Sequence, residues 1–417
     1  MNTDKEYLLN ESNTFCIFPW IHLYVDPMGH SAPCCISVGD ESLQENSKTH
    51  SLMEMVNADN MKKLRVDMLS DTAPASCRKC YSAEARGASS ERVSANASHG
   101  HRLDLSSTNP DGELTDFKMH YFDIRFNNIC NFKCRSCGAG FSSMWEQEDQ
   151  KYYKSAAIPI VQKNNRKEFV QEIIDQIVNI DTAYFAGGEP LITEEHYILL
   201  EEMIKQGRTD ILLRYNTNLS NLTFKDKDLL GLWKHFKHNI QVYASLDHYG
   251  ERAEYIRHGT DWAKVENNFA LVKKSPYINV QISTVLSVFN CMTIFEFYQY
   301  MYDKGLFHMD DRSNTMYPLA GPFYLDLNIL PMAYKNQAKD NLQKLIDYTE
   351  TLGAACIIPG KTSDKVKQLT DAKTWFSPDS SWEQNKALFK SETQRLDTLR
   401  GESFVKTFPE LAGLMDE

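Results

Sequence analysis

Cys130, Cys134 and Cys137 stand in the run Cys130-Asn131-Phe132-Lys133-Cys134-Arg135-Ser136-Cys137, a C-x3-C-x2-C spacing. Three thiolates on one short loop can hold three irons of a cubane iron–sulfur cluster, leaving the fourth iron open to a substrate or cofactor. Cysteine-bound clusters normally take four thiolates, so three points to a working site rather than a structural one. The competing metal chemistry for such a loop is half of a zinc site, which calls for C-x2-C knuckles with a distant partner pair.

A second constellation follows one helix-like and one strand-like run later. Ala183-Tyr184-Phe185-Ala186-Gly187-Gly188-Glu189-Pro190 is an apolar strand ending in Gly-Gly-Glu-Pro. Paired glycines at a strand end let backbone approach a ligand closely. Glu189 adds an acceptor and Pro190 fixes the exit; taken alone, the segment also reads as an ordinary strand-to-helix turn.

In this order the two motifs resemble the signature of radical S-adenosylmethionine (SAM) enzymes. The resemblance implies that Cys130, Cys134 and Cys137 hold a 4Fe–4S cluster whose open iron takes the amino and carboxylate groups of SAM. One electron then cleaves the sulfonium to a 5′-deoxyadenosyl radical, which abstracts hydrogen from a substrate. Gly187, Gly188, Glu189 and Pro190 correspond to the element that holds the methionine amino group. The position before the third cysteine, usually aromatic or large and apolar to pack on adenine, is Ser136 here.

The elements that must position these residues are legible from Met119 onward. Strand-like runs fall at Tyr121–Phe126, Thr182–Ala186, Ile211–Asn216, Ile240–Leu246, Val280–Leu286 and Phe323–Ile329, separated by amphipathic stretches. Phe169, Ile173, Ile174 and Ile177 recur at helical spacing in one of them. Six such units imply an α/β fold with a parallel sheet and right-handed crossovers. The resemblance makes this a partial (β/α)6 TIM-like barrel. Barrel enzymes place chemistry at the C-terminal ends of their strands, where both motifs fall.

Two further strand ends offer polar groups. Arg214-Tyr215-Asn216-Thr217-Asn218-Leu219-Ser220 closes the third, and Asn218 suits either a ligand contact or plain turn chemistry. The fourth ends in Ser245-Leu246-Asp247, followed by Glu254-Tyr255-Ile256-Arg257-His258-Gly259. This is similar to a "SxD…R.G" stretch of peptide-modifying members, which implies that Ser245 and Arg257 lie near the ribose and carboxylate of SAM. A planar, always-charged guanidinium suits a carboxylate. Thr284-Val285-Leu286, ending the fifth strand, corresponds to an adenine contact in the family.

A second cysteine set precedes the core. Cys16 is followed by Gly29, by Cys34 and Cys35, and by the pair Cys77-Arg78-Lys79-Cys80. Tyr24-Val25-Asp26-Pro27-Met28-Gly29-His30 reads as a strand and tight turn, which returns Cys34 near Cys16. The set resembles the auxiliary-cluster part of SPASM and twitch domains, although those usually follow the core. The resemblance implies an auxiliary 4Fe–4S cluster on Cys16, Cys34, Cys77 and Cys80, with Cys35 as the alternative to Cys34. A four-cysteine zinc ribbon has the same spacing. Of the remaining cysteines, Cys291 suits a hydrogen-atom donor or a small buried apolar residue, and Cys356 has no assigned part.

The whole chain has 417 residues, 45 basic against 56 acidic, and net charge −11. That balance argues against a sequence-independent nucleic-acid binder, which needs a basic surface. No run of about 18 apolar residues predicts a membrane span, and the N-terminus has no signal-like apolar region. A cytoplasmic location follows, with ten cysteines kept reduced and free to bind metal. The expected organisation is an auxiliary iron–sulfur domain over 1–105, a radical core over 115–330 and a helical extension over 331–417. The expected function is hydrogen abstraction from a peptide or protein, with flavodoxin or ferredoxin as reductant. The alternatives are a small-molecule radical dehydrogenase on the same scaffold and a non-catalytic zinc-binding interaction protein.

Overall fold

The computed structural model describes residues 3–37, 45–87, 89–153, 167–306, 315–353 and 361–416. Cys356 lies outside the described residues. The strands are β1 (His22–Val25), β2 (Ser31–Ala32), β3 (Tyr121–Ile124), β4 (Lys133–Cys134), β5 (Thr182–Phe185) and β6 (Leu212–Thr217). They continue with β7 (Thr223–Phe224), β8 (Lys227–Asp228), β9 (Ile240–Ser245), β10 (Arg257–His258), β11 (Ile278–Leu286) and β12 (Thr315–Pro318). Helices follow the principal strands, among them Glu194–Lys205 after β5, Gly250–Ile256 after β9 and Ile294–Asp303 after β11. The class is α/β and the strands are mostly parallel, as expected of a partial (β/α)6 barrel.

The chain forms two compact units: Met1–Cys130 with Ala139–Tyr215 and Thr223–Ile240, and Asn131–Gly138 with Asn216–Leu222 and Gln241–Glu417. In the first unit the strand order is β2-β1-β3-β5-β6, antiparallel only between β1 and β2. The expected hairpin forms at Asp26–His30. Gly29 takes φ +94 there, and the Asp26 carboxylate accepts from the amides of Met28 and His30. β1 also pairs in parallel with β3, His22 opposite Tyr121 and Val25 opposite Ile124, so the N-terminal segment extends the core sheet. Phe122, Phe185 and Tyr215 project from one face of these strands into a core closed by His196.

In the second unit β9, β11 and β12 are neighbours, with β11 and β12 parallel from Ser283–Thr315 to Leu286–Pro318. This corrects the sixth strand. Phe323–Ile329 forms two short 3-10 turns, Phe323–Leu325 and Leu327–Ile329, and the strand lies earlier, at Thr315–Pro318. The Asp326 side chain accepts from the Asn328 amide. This local bond competes with ladder pairing and outweighs the β propensity of Phe323, Tyr324 and Ile329. Beyond it lie the helices Met332–Gly353, Lys361–Lys373 and Trp382–Arg400. No helix among the described residues is long and apolar enough to cross a membrane.

Candidate functional site

In the first unit, Cys16, Cys34, Cys77 and Cys80 line one pocket of about 340 Å³. Cys77 closes the 3-10 turn Ala75–Cys77 and is the N-cap of the helix Arg78–Glu84, whose first turn carries Cys80. Cys16 is held through its neighbours. Arg92 Nη1 donates to the carbonyls of Ser12 and Phe15, Asn96 accepts from the Ile17 amide and donates to Phe15 O, and Tyr81 donates to Thr14 O. Arg92 is in turn fixed on Glu84. Arg92 and Asn96 escaped the sequence reading, although both lie on the helix directly after the cysteine pair.

Burial pushes the Cys77 thiol up to about 11. It raises Cys16 and Cys34 as well, with the charges of neighbouring thiols adding to the effect. Buried thiols that resist ionisation on their own are ionised by a bound cationic centre, so the donor set fits an iron–sulfur cluster. Cys35 is absent from the pocket lining and sits instead in the field of Asp123 and Arg125.

The C-x3-C-x2-C loop leaves the end of β3. Ile129 N bonds the Asn127 carboxamide, Asn128 Nδ2 bonds Ala139 O, and Ser143 N at the following helix start bonds Asn128 O. The Gly-Gly-Glu-Pro turn packs on this segment. Glu189 N donates to Ile129 O at 2.8 Å. A Cβ at Gly188 would stand 2.2 Å from Ile129 O, and one at Gly187, where φ is +125, would meet Arg125 Cβ at 3.2 Å. The close approach at Gly188 is therefore made by the backbone leading into the cysteine loop, and that at Gly187 by the Arg125 side chain. Glu189 is 2 % exposed and accepts from the Leu191 amide, starting the turn Pro190–Ile192.

Within the second unit, Cys134 lies on β4, paired with Arg257 on β10, and Cys137 N donates to Cys134 O. The Arg257 Nη1 is 4.0 Å from Cys134 Sγ, and its Nε donates to Asp247 Oδ2 at 2.8 Å. Asp247 lies two residues beyond the end of β9, is buried, and is fixed by the Val285 amide on its other oxygen. Gly259, at φ +106, leaves room for Asn131 O and Phe132; a Cβ there would be 2.8 Å from that oxygen. The Ser245…Gly259 stretch thus seats the cysteine loop. Asn218 also binds this loop, donating to Asn131 Oδ1 at 3.1 Å, while Asn131 donates to Ser220 Oγ.

Asn218, Ser245, Asp247 and Arg257 line one pocket of about 210 Å³ together with Phe132. The three positions singled out from sequence in this unit therefore converge, and Asp247 joins them. Burial raises the Cys134 thiol, with Arg257 opposing, and pushes Cys137 up to about 12. Val285 contributes its amide to Asp247, and Thr284 Oγ1 donates to Leu246 O. Cys291 is fully buried, with its thiol on Val288 O, and is a core residue. Among the described residues no group of three or more His, Cys, Asp or Glu side chains is gathered to enclose a single metal ion.

The radical SAM superfamily model matches residues 124–297, and that of the SPASM iron–sulfur cluster-binding domain matches residues 16–81. No curated protein matches the chain. Among solved structures, native anSMEcpe with bound AdoMet aligns at 18% identity over 54% of this chain and 59% of that one, with a TM-score of 0.38. The same protein with AdoMet and the Cp18Cys peptide aligns at 20% identity over 54% and 58%, TM-score 0.36. TYW1 with a lysine-pyruvate adduct bound aligns at 15% identity over 55% and 70%, TM-score 0.30. The chain thus spans less than two thirds of the length of the anSMEcpe structures. It carries a radical SAM domain over 124–297, with a SPASM iron–sulfur cluster-binding domain over 16–81 ahead of it.

Proposed function

We propose that this protein cleaves SAM reductively and abstracts hydrogen from a peptide or protein. A 4Fe–4S cluster on Cys130, Cys134 and Cys137 would supply the electron and the open coordination site for SAM. The observation that carries this reading is Arg257, whose guanidinium joins the Cys134 thiol to buried Asp247 beside a pocket also lined by Asn218 and Ser245. A fixed guanidinium near a ligating sulfur orients that ligand and lowers the cost of its charge. Arg257, Ser245 and Asn218 bind and orient SAM in this reading, and Gly187–Pro190 receive its amino group.

Cys16, Cys34, Cys77 and Cys80 hold the auxiliary 4Fe–4S cluster in this reading, with Cys35 left outside the ligand set. Residues 1–105 form the auxiliary domain, 115–330 the radical core and 331–417 its helical extension. A peptide or protein substrate is favoured because SPASM and twitch members favour such substrates. The reductant is a flavodoxin or ferredoxin, and the setting is the cytoplasm. Anaerobic reconstitution followed by iron, sulfide and zinc analysis tests the reading. Two cubane clusters give about eight irons per chain; zinc as the bound metal, with neither iron nor sulfide, contradicts it.

A further inference from the structure

A strand with sheet neighbours on both sides and helices outside normally reads as a continuous apolar run in parallel architecture. β3 alternates instead. Phe122 and Ile124 face the apolar core, while Tyr121, Asp123 and, just beyond the strand, Arg125 occupy the other face. Register places Tyr24 of β1 opposite Asp123 and Thr182 of β5 opposite Tyr121, so Tyr184 shares the polar face; Arg214 of β6 stands opposite Tyr184. All of these residues belong to the first unit.

Arg125 is the key member. Its side chain is 13% exposed, its Nε donates to Asp123 Oδ1 at 3.2 Å, and its guanidinium carbon lies 4.8 Å from the Tyr24 ring centroid. Among the described residues its side chain makes no other hydrogen bond. Arg125 also flanks Gly187, whose missing Cβ gives its stem room. A mostly buried guanidinium that spends one of five donors on a carboxylate keeps a planar fork suited to a second, bidentate anion. Arg214 adds a second guanidinium on the same face, near Glu91.

We propose that Arg125, seconded by Arg214, binds a carboxylate of the peptide substrate. The inference rests on the peptide-modifying reading and names the substrate chemistry that this face selects. The carboxylate comes from an acidic side chain or from a chain terminus. The test is modification of the full-length protein by phenylglyoxal, with Arg125 followed by peptide mass spectrometry. Four probes are added separately: an N-acetylated tripeptide amide with central glutamate, its glutamine counterpart, N-acetylated triglycine with a free C-terminus, and SAM. Several-fold slower modification of Arg125 with either carboxylate peptide, and not with the glutamine peptide, is expected; which peptide protects identifies the source. Protection by SAM would give this fork to the cofactor, and equal rates with the acidic and glutamine peptides would remove the site; either result overturns the proposal. Formation of 5′-deoxyadenosine is scored in parallel. Its absence with protection intact defeats the radical reading alone.

Discussion

Arg135, the residue after the second cysteine of the core loop, places one nitrogen 2.6 Å from both Asp397 and Glu402 of the C-terminal extension. Its side chain is 1 % exposed, it stacks 3.6 Å from the Tyr255 ring centroid, and its amide donates to Ile256 O. Glu402 also holds His258, the neighbour of Arg257, at 2.5 Å. The C-terminal extension therefore anchors both strands, β4 and β10, that carry Cys134 and Arg257. Breaking a buried ion pair by removing one partner costs about 3–5 kcal/mol. The second carboxylate moderates this, so Glu402→Gln is expected to lose about 1–3 kcal/mol, measured by urea unfolding of the apoprotein. Adding Asp397→Asn leaves the guanidinium uncompensated, and the double variant should lose more than the two single losses combined.

The same carboxylate gives stability a pH dependence. Burial works against the ionised form of Glu402, but the His258 hydrogen bond and the Arg135 charge outweigh it and hold its pKa below the ordinary value. A depressed carboxyl pKa contributes stability above the unfolded value of about 4.3 and loses it as pH falls through the folded value. Unfolding free energy should therefore drop below about pH 4–5 in the parent. Glu402→Gln should flatten that limb while leaving the slope at neutral pH unchanged.

Gly188 and Gly138 make a matched pair. Alanine at Gly188 drives its Cβ onto backbone atoms of Asn128 and Ile129, whereas nothing lies within 4 Å of a Cβ at Gly138. Gly188→Ala should cost about 1–3 kcal/mol through overpacking and displace the cysteine loop, seen as lower iron content. Gly138→Ala should stay within about 0.5 kcal/mol with iron retained.

The two adjacent N-terminal cysteines should separate cleanly. Cys34 lines the four-thiol pocket and Cys35 does not. Cys34→Ala is expected to drop reconstituted iron by about four per chain, while Cys35→Ala keeps it; the reverse pattern would exchange their roles.

Arg257→Lys retains the charge but loses the fork that spans Asp247 and Cys134. Outer-shell changes of this kind typically cost about 10–100-fold in activity or metal affinity. A fall of that size in 5′-deoxyadenosine formation is expected, read alongside iron content so that cluster loss and lost turnover are distinguished.

Much of this was legible in the sequence because it was local. Three-cysteine spacing, Gly-Gly-Glu-Pro and the hairpin at Asp26–Gly29 each encode their geometry within a few residues. Asn218 shows at a strand end where polar residues follow an apolar run, and Ser245 and Arg257 show through the resemblance of Ser245-Leu246-Asp247 and Arg257-His258-Gly259 to a family stretch. What stayed hidden depends on distant pairing. Arg135 meets Glu402 across 267 positions, and nothing near either residue marks the other. A Cβ at Gly188 would meet the backbone of Asn128 and Ile129 and one at Gly187 the Arg125 side chain, contacts that the motif itself does not announce. The β3 alternation was visible in Tyr121–Phe126, but its meaning required the register that aligns Tyr24, Asp123, Tyr184 and Arg214 on one face. The sixth strand was misplaced because an apolar, aromatic run outranked the local Asp326 turn.

The most direct measurement is 5′-deoxyadenosine formation from SAM under anaerobic conditions with dithionite, comparing the reconstituted parent with Cys130→Ala, Cys134→Ala and Cys137→Ala. The account predicts product from the parent and none above background from any of the three. Product at the parental rate from even one of them would contradict the claim that this cysteine trio holds the cluster that cleaves SAM.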